Sequence, residues 1–332
     1  LFLFLFISTS ESDEAFTFDV KEIEIIENGN IFIGKNGGTA KSGNGITIYG
    51  KNFRYDKENN ILYSDTNVRI EDKIKNITIF TDKITYLKNK EIIFTENKSK
   101  AIYEKIIIEA NNFKYNKISN TINAEGNVKI NDQINKYSSL AKEITYFISD
   151  DKIVSKGETD VFIKSKYKFF GSNLTIFRNL NKFSSKNKSK LIDNTLTQYE
   201  FDEFIYFFED ELLKAKNIVI TSNNSLPEGK NDKAKFLDGF FDLKNKNFTA
   251  SKTTVKIKKN SFDNSKNDPR IKGVSSESKN GITKINKAIF TSCEIKEDDC
   301  PPWSIKAKTI THDKNKSNCY MKRQYYKFII NL

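Results

Sequence analysis

Histidine, methionine and tryptophan each occur once in the 332 residues, cysteine three times and proline four times. A single histidine excludes His-rich metal sites and argues against a Ser-His-Asp enzyme. Four prolines and 14 glycines exclude collagen-like and Pro-rich chains. No stretch of about 18 apolar residues exists, which excludes a polytopic helical membrane protein. Arginine is scarce: of 55 basic residues only Arg54, Arg69, Arg178, Arg270 and Arg323 are arginine. Nucleic-acid readers lean on arginine for bidentate contacts, so no nucleic-acid partner is expected. The lysines are spread evenly among Asn and Ile and read as solvated strand faces. The alternative is a polyanionic partner such as a phosphorylated glycolipid or an anionic membrane surface. The only methionine is Met321, so the chain has no initiator and reads as a fragment at its front end.

What is abundant is material for a core. Phe numbers 27 and Tyr 14, beside plentiful Ile, and the formal net charge is +12. That argues against disorder. At the front, Leu1–Ile7 reads LFLFLFI and breaks abruptly into Ser, Glu and Asp. Seven residues cannot span a bilayer. They fit the end of a signal-peptide apolar region, so residues 1–14 are read as a signal-peptide remnant and the protein as exported. The bland alternative is a buried first strand.

A repeat organises the first half. Asn52-Phe53-Arg54-Tyr55 returns as Asn112-Phe113-Lys114-Tyr115, and Asn67-Val68-Arg69-Ile70 as Asn127-Val128-Lys129-Ile130. The shift is 60 residues. A related unit, Asp82–Tyr86, returns at Lys142–Tyr146, so the underlying period is 30, with a weaker copy around Leu174–Asn181. Each unit holds two runs of period-two apolar spacing around an Asn-rich turn, which predicts strand rather than helix. Residues i and i+2 of a strand share a face, so Phe53/Tyr55 and Val68/Ile70 form apolar stripes with Arg54 and Arg69 opposite. Such rungs bury their apolar face only by stacking.

Downstream, Asn181–Lys190 reads as a polar loop. Glu200–Lys214 is either a helix or a dense aromatic strand pair, because Phe204, Phe207, Phe208 and Leu212 fit both spacings. Strand signals resume at Asn217–Ile220 and Lys252–Lys258. Residues 222–235 and 261–279 are rich in Ser, Asn, Gly and charge, and read as loops.

The most specific signal lies near the end. Phe290-Thr291-Ser292-Cys293 leads to Cys300-Pro301-Pro302-Trp303-Ser304-Ile305-Lys306-Ala307 and then to His312-Asp313. Asp238-Gly239-Phe240-Phe241-Asp242-Leu243 and Asp268-Pro269-Arg270-Ile271-Lys272-Gly273 precede it in order. Over roughly Phe16 to Asp313 the chain resembles the N-terminal periplasmic domain of the LPS-assembly protein LptD, or organic solvent tolerance (OstA), family. The resemblance implies an all-β fold, a stacked antiparallel β-jellyroll (β-taco) built from 30-residue two-strand repeats. It implies that lipopolysaccharide acyl chains pass along an apolar interior while sugars and phosphates stay outside. The inner stripe then comprises Phe53, Tyr55, Val68, Ile70, Ile84, Tyr86, Phe113, Tyr115, Val128 and Ile130. Any one of these also suits an ordinary sandwich core.

The division expected is a remnant at 1–14, jellyroll repeats at 15–180, a continuing β-domain at 181–285, the signature exit at 286–313 and an off-pattern tail at 314–332. The family continues into an outer-membrane barrel whereas this tail does not resemble it, so a truncation or frameshift is expected. The family position at Cys293 pairs with a cysteine of the barrel portion; a local Cys293–Cys300 bridge is the alternative in an exported protein. Pro301, Pro302 and Trp303 are expected to pack at the domain exit, and His312 to be structural or superficial. Cys-x6-Cys without a second pair does not make a metal site, and no phosphate loop or paired carboxylates stand out. The reading is therefore a lipid-transfer module at the periplasmic face of the outer membrane, with no enzymatic activity and no cofactor. Its partners are lipopolysaccharide, a periplasmic Lpt bridge protein joined by strand-edge pairing, and an LptE-type lipoprotein only where a barrel is present. The alternatives are a stand-alone OstA-repeat bridge protein like LptA or LptC, and a surface β-solenoid adhesin.

Overall fold

A computed structural model of the chain describes residues 16–223, 225–227, 230–259, 267–294, 301–314, 316 and 318–328. The apolar start Leu1–Ile7 and Cys300 lie outside them. Among the described residues there is no α-helix. Strand follows strand, and every pairing is antiparallel. The chain forms two compact units, Leu1–Ile134 and Asn135–Leu332.

In the first unit each long strand serves two sheets. Residues 61–65 of the strand Ile61–Asp72 pair with Asn52–Asp56 and with residues 83–87. Residues 69–72 pair instead with residues 46–49 and with 77–80. Between the halves the register slips, and Thr66 and Asn67 take φ of 65° and 57°. Such a bulge bends a strand and re-aims the rest of it. The bend recurs at Asn97/Lys98 (φ 62° and 46°) and at Gly126/Asn127 (φ 77° and 51°). Asn and Gly enter the left-handed region at least cost, which is why they recur there. The 60-residue repeat is exact in the structure: Ile61–Asp72 returns as Thr121–Asp132, and Ile77–Leu87 as Tyr137–Phe147.

The second unit repeats the plan. Lys152–Ile163 bends at Gly157 (φ 78°), pairing through residues 152–154 with Thr175–Phe177 and through 158–163 with Tyr167–Ser172. Leu212–Thr221, Asn247–Lys256 and Ile282–Thr291 bend at Asn217, Lys252 and Lys287. The segment Glu200–Lys214 is strand throughout its ordered runs: Gln198–Phe201, Glu203–Phe207 and the start of Leu212–Thr221. Phe204, Tyr206 and Phe208 point inward and join Phe169 and Phe183, with ring centroids 4.9 to 5.9 Å apart.

Each unit is thus a two-sheet antiparallel jellyroll. At the bends stand small hydroxyl residues: Ser64 Oγ donates to Asn52 O at 2.9 Å, Ser139 Oγ to Asp160 O at 2.8 Å, Ser185 Oγ to Ser172 O at 2.8 Å. These bonds satisfy carbonyls where the bulge interrupts the ladder. Glycine serves where even a methyl would not fit: a Cβ on Gly38 would lie 2.2 Å from Asp19 O. Away from the bends come Ile, Val, Leu and Phe, and at the far ends come tyrosines.

Candidate functional site

All ten residues of the expected inner stripe face the interior, and each is between 1% and 5% exposed. Arg54 and Lys129 lie on the outer face, exposed. The stripe residues pack against protein: Phe16, for example, closes on Tyr55 at 5.1 Å and Tyr86 at 5.5 Å between centroids. At one end the interior reaches solvent. Among the described residues, Thr17–Ile26 pairs with Ile31–Lys41 alone. Its Ile23 and Ile25 stand opposite Gly34 and Phe32 on the interior face, 53% and 54% exposed.

Within each unit, opposite the bends, the terminal turns of its two sheets meet along a seam. The tyrosines mark it. Tyr55, Tyr86, Tyr115, Tyr146 and Tyr206 each precede by five positions a left-handed residue: Asn60, Glu91, Asn120, Asp151 and Glu211 (φ 47–54°). The hydroxyls of Tyr55, Tyr86 and Tyr146 donate to Asn60, Glu91 and Asp151 at 2.7, 2.5 and 2.7 Å. Burial pushes the phenols of Tyr86, Tyr115, Tyr146 and Tyr206 far above their ordinary value, so they remain donors.

In the first unit this seam is crossed by a polar network. Asp72, on one sheet, accepts from the Tyr115 hydroxyl at 2.8 Å and the Lys117 ammonium at 3.1 Å, both on the other. Its second oxygen accepts the amides of Ile74 and Lys75 at 3.1 and 3.0 Å. Asn44, from a turn beside Asp72, donates to Tyr86 at 3.3 Å and to Glu91, while its carbonyl accepts from Lys117 at 2.5 Å. In the second unit Glu211 takes the Tyr167 hydroxyl at 2.8 Å and the ammonium groups of Lys164 and Lys166 at 3.2 and 3.4 Å, all from the facing sheet. Burial alone would raise the Glu211 carboxyl; the Tyr167 hydrogen bond and the two lysines outweigh it and hold the group below its ordinary value. Buried Arg178 pairs with Asp151 and donates to Tyr146 at 2.9 Å.

Tyr55, Tyr86 and Tyr115 belong to the expected inner stripe, whereas Asn44, Asp72, Lys117, Tyr167, Arg178 and Glu211 did not stand out as site residues in the sequence. Their signal was the Tyr-x4-(Asn/Asp/Glu) spacing laid over the 30-residue period, and the repeat of Asp72 at Asp132.

The dispersed motif pieces near the end converge. The Arg270 guanidinium donates to Asp268 O at 2.9 Å and Cys293 O at 2.6 Å. Asp268 N donates to Ser292 O at 3.0 Å, and Thr291 Oγ1 to Trp303 O at 2.9 Å. Trp303 rests on Phe290, 5.9 Å between centroids, with Pro301 half-buried and Pro302 exposed. The half-buried Cys293 thiol faces Trp303 O at 3.9 Å; Cys300, the local alternative to a barrel cysteine as its partner, lies outside the described residues. His312 is exposed. The expected tail forms a strand, Asn318–Phe328, against Trp303–Asp313. Among the described residues no cluster suits a metal ion.

No protein family's model matches the chain, and no curated protein does. Among solved structures the chain is similar to LptH from Pseudomonas aeruginosa, described as the LptA homologous periplasmic component of the conserved lipopolysaccharide transport device. The TM-score is 0.32 at 14% identity, covering 34% of this chain and 86% of that one.

Proposed function

We propose that the chain is the periplasmic lipopolysaccharide-receiving domain of an LptD-type assembly protein, at the periplasmic face of the outer membrane. Acyl chains travel between the two sheets, and the module performs no chemistry. The observation that carries this reading is the apolar interior, repeated rung after rung and exposed at the Thr17–Ile26 edge through Ile23 and Ile25. Among the described residues that edge has no second partner strand, so a bridge protein would add its own strand there and continue the interior. An LptE-type lipoprotein is a partner only where a barrel is present, and the Cys293–Cys300 bridge belongs to the same proposal.

A second reading, a stand-alone bridge protein, shares this interior. The convergence of Arg270, Cys293 and Trp303 favours the receiving domain, since those pieces carry the resemblance to its family.

The test is photo-crosslinking in cells of a suitable host. A crosslinker at Tyr86 or Tyr115 should capture lipopolysaccharide, and one at Arg54 or Lys129, on the outer face, should not. Equal capture from both faces overturns the assignment. Rescue of a host depleted of its bridge protein would favour the second reading.

A further inference from the structure

The seam carries a chemistry that a packed core does not need. At Asp72 and Glu211 the carboxylate is buried and its lysine partners are the more exposed, half-buried at Lys117 and open at Lys164 and Lys166. The Asp72 side chain is 1% exposed and Lys117 13%; Glu211 is 4% exposed against 31% and 48% for Lys164 and Lys166. An anion arriving from solvent therefore meets the ammonium groups first. Beside them, solvent-facing aliphatics stand on the turns that form the two lips: Ile74 and Ile118 in the first unit, Leu180 and Leu196 in the second. Cations next to exposed aliphatics make an amphipathic approach, suited to a molecule with an anionic head and an apolar tail.

We propose that the seam is an anion-exchange latch. A phosphate-bearing headgroup takes Lys117, or Lys164 and Lys166, from Asp72 or Glu211. The ammonium groups exchange one oxygen partner for another, so no cation is left unpaired at any stage. The released carboxylate turns to water, the cross-seam bonds to Tyr115 and Tyr167 lapse, and the sheets part at the lips to admit the chain sideways. This rests on the lipid-interior reading and adds the route of entry and the residues that control it.

Three probes separate head from tail: octyl phosphate, octyl glucoside and inorganic phosphate, each added to the full chain. Hydrogen exchange is read at residues 74 and 75, whose amides Asp72 caps, and at 208–211. Octyl phosphate should speed exchange at both by about tenfold, the size of a typical coupling between sites. Octyl glucoside and inorganic phosphate at equal concentration should not. Opening by octyl glucoside to the same degree overturns the exchange while leaving a lipid-binding interior in place. Opening by inorganic phosphate alone makes a free anion the ligand and overturns the lipid source. Lys117→Gln and Lys166→Gln should raise the octyl phosphate concentration needed in their own units by about tenfold without changing octyl glucoside binding. Lys166 is half exposed, so its variant keeps the test open if Lys117→Gln fails to fold. Unchanged octyl phosphate dependence overturns the proposal. Failure of any acyl probe to bind at all falls on the lipid reading instead.

Discussion

Replacing Tyr115 with phenylalanine removes one oxygen and leaves the ring. Tyr115 is 1% exposed, and its hydroxyl reaches across the seam to Asp72 at 2.8 Å. A hydrogen bond to a charged acceptor contributes about 1.5–3 kcal/mol. Asp72 keeps Lys117 and two turn amides, so it is not stranded, and the loss falls near ~2 kcal/mol, about thirtyfold in the local opening equilibrium. Tyr206→Phe is the matched control. Tyr206 occupies the equivalent repeat position and is 0% exposed, but its hydroxyl has no hydrogen-bond partner among the described residues. Its removal should be neutral or slightly stabilising, because an unsatisfied buried hydroxyl costs free energy. Native-state hydrogen exchange measures both: amides of residues 68–72 and 112–116 should lose protection in Tyr115→Phe, and those of 203–216 should lose none in Tyr206→Phe. Equal losses in the two variants, or a Tyr115→Phe change under about 0.5 kcal/mol, would show that the seam bond does not hold in solution.

Phe183→Ala, at a 0% exposed ring touching Phe169, Phe204, Tyr206 and Phe208, should cost about 3–5 kcal/mol in urea unfolding; a loss below 1 kcal/mol would mean the interior there is already open. Because the folded Glu211 carboxyl sits below its unfolded value of about 4.3, its contribution is complete above that pH and is lost as pH falls through the lower folded value. Glu211→Gln should therefore lower stability at neutral pH and flatten the acid limb, as followed by Trp303 fluorescence during urea titrations from pH 6 to about 3; an unchanged acid limb would refute the assignment. Gly38→Ala should weaken the pairing of Thr17–Ile26, since the new methyl meets Asp19 O, and proteolysis after Lys21 should accelerate.

The strands of the repeats were legible because alternation is a local signal. Phe53/Tyr55 and Val68/Ile70 bury themselves as their spacing requires, and the 60-residue match carries the register intact from one copy to the next. Lys182–Ser185, Ser189–Asp193 and Arg270–Lys279, expected wholly or partly within loops, are strands too, their polar Ser and Lys positions having masked the alternation. The bends were not legible, since Thr66-Asn67 and Asn97-Lys98 look like ordinary polar strand positions until the chain is seen to serve two sheets. Ser64, Thr81 and Ser99 hid for a related reason: they are buried hydroxyls, and a hydropathy pattern counts them as outward. Glu200–Lys214 was ambiguous because Phe204, Phe207 and Phe208 satisfy a helical stripe as well as alternation; partners on neighbouring strands decided for Phe204, Tyr206 and Phe208. The seam pairs lie 45 to 47 residues apart in sequence, so no local window could have joined Lys117 to Asp72 or Lys164 to Glu211.

The step of about 30 residues, 31 from Tyr55 to Tyr86 and 29 from Tyr86 to Tyr115, also sets how such a chain can change length. Each step adds two bent strands to both sheets, roughly 10 Å of trough at the usual strand spacing, and returns the polypeptide to the same sheet running in the same direction. Duplicating one whole step inside Leu1–Ile134 would lengthen the trough while every hydroxyl, aromatic and left-handed turn fell onto its counterpart. Half a step would reverse the incoming strand and set its tyrosine among the serines at the fold. Growth in this architecture is therefore quantised, and its quantum is the distance from one tyrosine to the next.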